Sequence, residues 1–240
     1  MQSPNLLLFG PDCRTIAAIK NTAHTGKNLR GIVMIEFINF LARWGHVLFG
    51  IVWIGMLYYF NFVQGGYFKA ASAEGLADAK AKLAPSALWW FRWGAMFTFI
   101  TGLYLLHTIS SVLNNFIIMG SVMGTLMAAN VWMVIWPAQR IALGIEEGGD
   151  KAAAGAKALL ASRTNTLFSA PMLFGMLAGP HYGQYGTAIG GTGLTVALVI
   201  ILALQINAIK GKQGPMTTVN GVIGSSLALT AILVAALSFL

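Results

Sequence analysis

Six apolar runs dominate this chain, at residues 35–63, 87–108, 116–137, 164–180, 188–208 and 221–240. About twenty apolar residues in helical form cross the hydrocarbon core of a bilayer. A helix satisfies its backbone hydrogen bonds within the segment, and barrel strands would need an alternation that these continuous runs lack. The runs therefore predict an all-α, polytopic membrane helix bundle of about six transmembrane helices. Charge agrees: only 9% of the residues are Asp, Glu, Lys or Arg, against about 25% in soluble domains. That excludes a soluble globular domain, a disordered chain and a coiled coil. The fourth run is short and Pro171 interrupts it, so a neighbouring helix is expected to satisfy the carbonyl that the proline leaves bare. The pairs Gly120/Gly124, Gly175/Gly179 and Gly186/Gly190 have GxxxG spacing and are expected to mark close helix packing.

The cations set a direction. Connections 64–86, 138–163 and 209–220 carry Lys69, Lys80, Lys82, Arg140, Lys151, Lys157, Arg163, Lys210 and Lys212, whereas 109–115 and 181–187 carry no Lys or Arg. Basic loops stay in the cytoplasm. Both termini are therefore expected on the outer, periplasmic side of a bacterial inner membrane, and Trp89, Trp90, Trp93 and Trp136 at the inner interface. The net charge of +8 reports this topology, with membrane lipid as the surroundings and no nucleic acid as a partner. The tail 1–33 opposes the rule with Arg14, Lys20, Lys27 and Arg30. Either the tail is translocated despite its charge or, the favoured expectation, it is a dispensable extension before a natural start at Met34, leaving 34–240 as a single transmembrane domain. A span that ends with the chain at Leu240 leaves no expected soluble domain beyond it.

Histidines carry the chemistry. His24 lies in the tail and is set aside. His46 lies about ten residues below the outer end of the first run, and the second and fourth runs reach the outer surface at His107 and His181. All three fall in the outer half of the membrane. Ionisable side chains within spans face the bundle interior or a cavity, and neutral imidazole is a common ligand for heme iron and transition metals. On the first helix His46, Gly50, Trp53 and Leu57 share one face. Gly50 is expected to leave room for a flat macrocycle and Trp53 to pack on its edge. The competing reading has His46 simply hydrogen-bonding a neighbouring helix. Cys13 is the only cysteine, so disulfides, Cys-based zinc and a CxxCH heme attachment are excluded. A two-histidine heme b site is the expected cofactor site, with copper on three histidines as the alternative. Ser162 and Ser169 have no accompanying acid and histidine, and Gly190-Gly191-x-Gly193 follows no strand, which excludes a nucleotide fingerprint. Glu146, Glu147, Asp150 and the alanine-rich 151–161 read as a solvated cytoplasmic segment.

Four stretches, in order, resemble the urate oxidase N-terminal domain family, the membrane part of bacterial membrane-bound urate oxidases. They are RWGHVLFGIVWIGMLYYFNFVQ (43–64), WWFRWGAMFTFITGLYLL (89–106), MGTLMAANVWMVIWPAQRIAL (123–143) and SRTNTLFSAPMLFGMLAGPHYG (162–183). The resemblance implies a redox membrane protein in which His46 and His181 match family histidines. It also matches Asn130, Pro137, Gln139, Asn165 and Pro171 to the family's polar and proline positions. Full-length enzymes of this kind carry a C-terminal cytochrome c domain, which has no counterpart here, and a histidine is missing near Ser162–Asn165. The first helix also resembles, through a His and a Trp-x-Gly, bacterial protoporphyrinogen oxidases and copper-resistance D-type proteins. The expectation is a heme-binding inner-membrane protein passing electrons from a small reductant, urate or a relative, to a separate periplasmic cytochrome c. His46 would be one axial ligand and His181 or His107 the other, with Trp53, Tyr58 and Tyr59 along the pocket or its approach. The alternatives are a non-catalytic subunit of a larger respiratory or redox membrane complex and, last, a transporter, which the lack of intramembrane acid–base pairs disfavours.

Overall fold

The computed structural model of the chain describes residues 26–182 and 189–240. These residues form six long helices and, among them, no strand. Helix α1 runs Gly26–Tyr58 and continues through a π-helical turn, Tyr59–Gln64, to Ala70. Helix α2 is Ala84–Thr108, α3 is Asn115–Ala142 with a π-helical turn at Asn130–Ile135, and α4 is Lys151–His181. Helices α5 and α6 are Gly191–Lys210 and Val219–Phe239. Residues 1–25, with His24 and most of the expected tail, lie outside the described residues, as does Gly186. Helix α1 begins at Gly26, so the boundary expected at Met34 falls inside a continuous helix: Leu29, Ile32 and Val33 continue its apolar character outward.

Four helices are long and apolar enough to cross a membrane: Leu29–Ala70, Asn115–Ala142, Gly191–Lys210 and Val219–Phe239. The protein is a membrane protein with transmembrane helices. Helix α4 falls short of that hydropathy for a structural reason. Its stretch Arg163, Thr164, Asn165, Thr166 and Ser169 is buried inside the bundle, so it is shielded by neighbouring helices instead of facing lipid.

Side-chain caps start several helices. Asn114 accepts from Ile117 N at 3.1 Å to open α3, and its amide donates to Gly179 O at 3.2 Å, tying α3 to the end of α4. Asp150 accepts from Ala152 N and Ala153 N at 2.8 and 3.2 Å to open α4, and Thr218 opens α6 through Gly221 N at 3.0 Å. Each satisfies amides that a helix start leaves bare. The connection expected as 138–163 is therefore mostly helix. Arg163, counted among the cations of that connection, is buried in α4 with a guanidinium nitrogen 3.5 Å from Thr218 O.

Helix α4 is the hub. It runs antiparallel to α3, and the two backbones cross at glycines. A Cβ added at Gly175 would stand 2.7 Å from Phe116 O and 3.1 Å from Gly120 N; one added at Gly120 would stand 3.1 Å from Met172 O. Gly120 on α3 and both Gly175 and Gly179 on α4 thus make the close approach, since a Cβ at Gly179 would overlap the Ile117 side chain. Gly124 has only Met176 Cε within reach, at 4.0 Å. Gly190 precedes α5 instead of packing within a helix: its φ is +122° and a Cβ there would meet open space. Asn115 holds the backbone of Gly190 on both sides, accepting from its N at 3.1 Å and donating to its O at 3.0 Å.

Pro171 and Pro180 both lie inside α4. Pro171 has no N–H for the carbonyl four residues back, Leu167 O. Ser226 Oγ on α6 donates to that carbonyl at 2.8 Å, which is the neighbouring-helix rescue that a proline in a membrane helix requires.

Candidate functional site

Histidine 46 sits on the α2-facing side of α1, half-buried. Its Nδ1 is 2.9 Å from Thr98 O and 3.1 Å from Thr101 Oγ1. A carbonyl can only accept, so Nδ1 carries a proton, and in the neutral imidazole Nε2 then carries the lone pair. The Thr101 hydroxyl spends its own proton on Phe97 O or Thr98 O, at 2.7 and 3.0 Å. No described residue hydrogen-bonds Nε2. Glycine at position 102 makes the pose possible, because a Cβ there would stand 3.0 Å from His46 Cε1.

The face expected to carry a macrocycle is differently filled. A Cβ on Gly50 would meet Thr98 Cγ2 at 3.9 Å, so α2 lies over the gap that glycine leaves. Trp53 and Leu57 are buried in the core. Gly94 admits the α1 backbone, since a Cβ there would come within 3.1 Å of Trp53 N. The four-residue stripe reads as periodic because it packs on α2, and the periodicity alone could not name its partner.

The other two histidines are at helix ends. His107 is exposed in the last turn of α2. His181 is exposed and is the last residue of α4, directly after helical Gly179 and Pro180, and Tyr182 is the cap whose N donates to Ala178 O at 2.8 Å. Tyr182 packs edge-on against Phe116 and Phe174, with ring centroids 5.6 and 6.4 Å apart.

Heights along the bundle separate these histidines. Ser169 Oγ donates to Thr166 O at 2.7 Å, so in the 2.9 Å bond between Tyr58 and Ser169 the phenol is the donor. This bond, with Asn61 Nδ2 donating to Ser162 Oγ at 2.8 Å, fixes α1 antiparallel on α4. His46 lies twelve residues before Tyr58 and His181 twelve residues after Ser169, both toward the same end of the bundle. At a rise of 1.5 Å per residue both stand about 18 Å above the same bond. On α2 the register is set by Tyr104 OH donating to Asn39 Oδ1 at 2.8 Å and by the His46–Thr98 bond. His107 then stands level with residues near 36, about 10–15 Å beyond His46 toward that same end of the bundle. Tyr58, expected near the pocket, is instead at the lower, interhelical level, stacked on Phe62 at 4.9 Å. Tyr59 opens the π-helical turn. Among the described residues no three His, Cys, Asp or Glu side chains gather in one group.

A polar layer lies below. Asn130 donates to Asn165 Oδ1 at 2.8 Å and to Gln205 Oε1 at 3.0 Å; Gln205 donates back to Asn130 Oδ1 at 2.6 Å; Asn165 donates to Met127 O at 3.0 Å. The three amides are buried and join α3, α4 and α5. Asn130 opens the π-helical turn of α3, a feature that re-aims side chains and is frequent at functional sites. Sequence reasoning did not single out Gln205, although it and Asn207 are the two amides in the apolar stretch LTVALVIILALQINAI. Pro137 and Gln139, the remaining matched positions, are in the last turns of α3.

A family model described as urate oxidase N-terminal matches residues 104–237, more than half of the 240. The match takes in His107, the amide layer and His181, and begins after His46. No curated protein and no solved structure matches the chain.

Proposed function

The chain belongs to the urate oxidase N-terminal family, and on that premise we propose that it is a heme b-binding redox protein of the bacterial inner membrane. It would pass electrons from a small reductant, with urate the leading candidate, to a separate periplasmic cytochrome c. The observation that carries this reading is the state of His46. Its Nδ1–H is held by Thr98 O, and no described residue hydrogen-bonds its Nε2. That is the arrangement of a ligating imidazole, in which the second nitrogen is fixed by a carbonyl and the tautomer is thereby chosen. Heme, when bound, would supply a one-electron centre in the outer half of the membrane.

The protein's own residues do the positioning. Thr98 and Thr101 orient the imidazole, and Gly102 gives it room against α2. The equal heights of His46 and His181 favour His181 over His107 as the second ligand. Copper is the less supported occupant, because a copper site needs a compact set of imidazoles and His107 stands at a different level. The basic loops support a cytoplasmic inner side and periplasmic termini.

A visible spectrum of the purified chain tests the reading. The expected result is a Soret band with resolved α and β bands on reduction, lost or turned high-spin in His46→Ala and His181→Ala and unchanged in His107→Ala. A colourless protein after expression with ample heme supply overturns it. It would favour the second reading, a non-catalytic subunit of a larger membrane complex. One observation favours that alternative: α1 leaves Phe37, Phe40, Trp44, Val47 and Ile51 exposed along its outer half, a face that a partner helix could cover.

A further inference from the structure

We propose that Arg92 and Arg140 clamp the phosphodiester of an anionic phospholipid in the inner leaflet. The guanidinium carbon of Arg92, on α2, stands 3.8 Å from the centroid of the Trp136 ring on α3. Stacking uses the face of the guanidinium and leaves its N–H edges free in the plane. Arg92 is partly exposed, and no described residue accepts a hydrogen bond or pairs its charge; Nε is shielded from solvent and unpartnered, which leaves the outer N–H groups as the edge a ligand can meet. Arg140 lies one turn beyond Trp136 on α3, the residue whose ring the Arg92 guanidinium covers.

The local charge is not balanced. Among the described residues the only ion pairs are Lys82 with Asp78 and Arg140 with Glu146, the latter at 3.2 Å and well exposed. One carboxylate thus answers two guanidiniums on adjacent helices. A phosphodiester supplies what is missing, an anion with several in-plane acceptors, which Arg recognises through paired N–H bonds. The source is a lipid and not a free anion because of where the pair sits. Arg92 follows Trp89 and Trp90, both exposed on α2, and indoles of this kind mark the interface where headgroups lie. The basic ends of the connections put this level on the cytoplasmic side, where pockets between helices take anionic headgroups.

Native mass spectrometry of the full chain in detergent, titrated with phosphatidylglycerol and separately with phosphatidylcholine, tests the clamp. The wild type is expected to bind phosphatidylglycerol at least about tenfold more tightly. Arg92→Gln and Arg140→Gln are each expected to lose about tenfold in that affinity. Arg92→Lys, which keeps the charge and loses the planar edges, should fall between them and the wild type, and it carries the test if Arg92→Gln does not fold. Lys212→Gln removes one cation elsewhere on the same side and should leave the affinity unchanged. An equal loss in Lys212→Gln would reduce the effect to general surface charge. No preference for phosphatidylglycerol, or its displacement by inorganic phosphate at matched concentration, would equally overturn the proposal.

Discussion

The phenol of Tyr58 donates a 2.9 Å hydrogen bond to Ser169, and this contact sets the register of α1 on α4. His46 and His181 share a height because of it. The bond lies at the level where α4 is most polar, so the position of the candidate ligands depends on the layer beneath them.

Substituting Gly102 tests the pose of His46 without removing the imidazole. Gly102→Val places a Cβ 3.0 Å from His46 Cε1, and the ring must turn away from Thr98. The expected outcome is a shifted or weakened heme spectrum in a protein that still inserts. A spectrum identical to wild type would mean that the imidazole pose on α2 has no bearing on the cofactor.

Ser226→Ala should cost about 1–2 kcal/mol, because Leu167 O then loses the donor that replaces the missing N–H of Pro171. Pro171→Ala restores an N–H to the helix, so the two substitutions together should be less damaging than their sum. Reversible unfolding in mixed micelles measures this coupling, and strict additivity would show that Ser226 does not serve the proline.

Gly175→Leu should destabilise by about 1–3 kcal/mol or prevent folding, since its Cβ would stand 2.7 Å from Phe116 O. Gly124→Leu, at the open position of the Gly120/Gly124 pair, is the matched control. It should be tolerated, with only a flexible methionine methyl at 4.0 Å. Thermal melts that rank the two alike would contradict the crossing point of α3 and α4.

Asn130→Leu strands the amides of Gln205 and Asn165 and should cost about 1–3 kcal/mol. Replacing Asn130, Asn165 and Gln205 together by leucine removes donors and acceptors at once. That triple variant should be more stable than a sum of single effects predicts, unless the added volume cannot be packed, which Asn→Ala versions distinguish.

A reporter fused after Leu240 should be active only in its exported form. The motive is the division of Lys69, Lys80, Lys82, Lys210 and Lys212 from the cation-free connections at 109–115 and 181–187. Activity of a cytoplasm-dependent reporter at that position would invert the bundle and place His46 in the inner half.

Run length and charge alone determined much of this protein. They decided that it is helical, that it crosses the membrane repeatedly, and that the connections containing Lys80, Lys157 and Lys212 lie at one end of the bundle. They also put His46 well inside a span and required a partner for the carbonyl below Pro171. Family resemblance singled out Asn130 and Asn165 without saying what they bond. Tertiary structure decided the rest: that α4 is the hub, that Gln205 closes the amide layer, that Ser226 is the proline's partner, and that Thr98 covers Gly50. The reason is physical. In lipid a helix is apolar on nearly every face, so its pattern does not distinguish the side that meets another helix from the side that meets acyl chains. Which faces meet is decided by close backbone approach at residues such as Gly175 and by scarce polar groups finding one another across helices, and neither is a property of any single run.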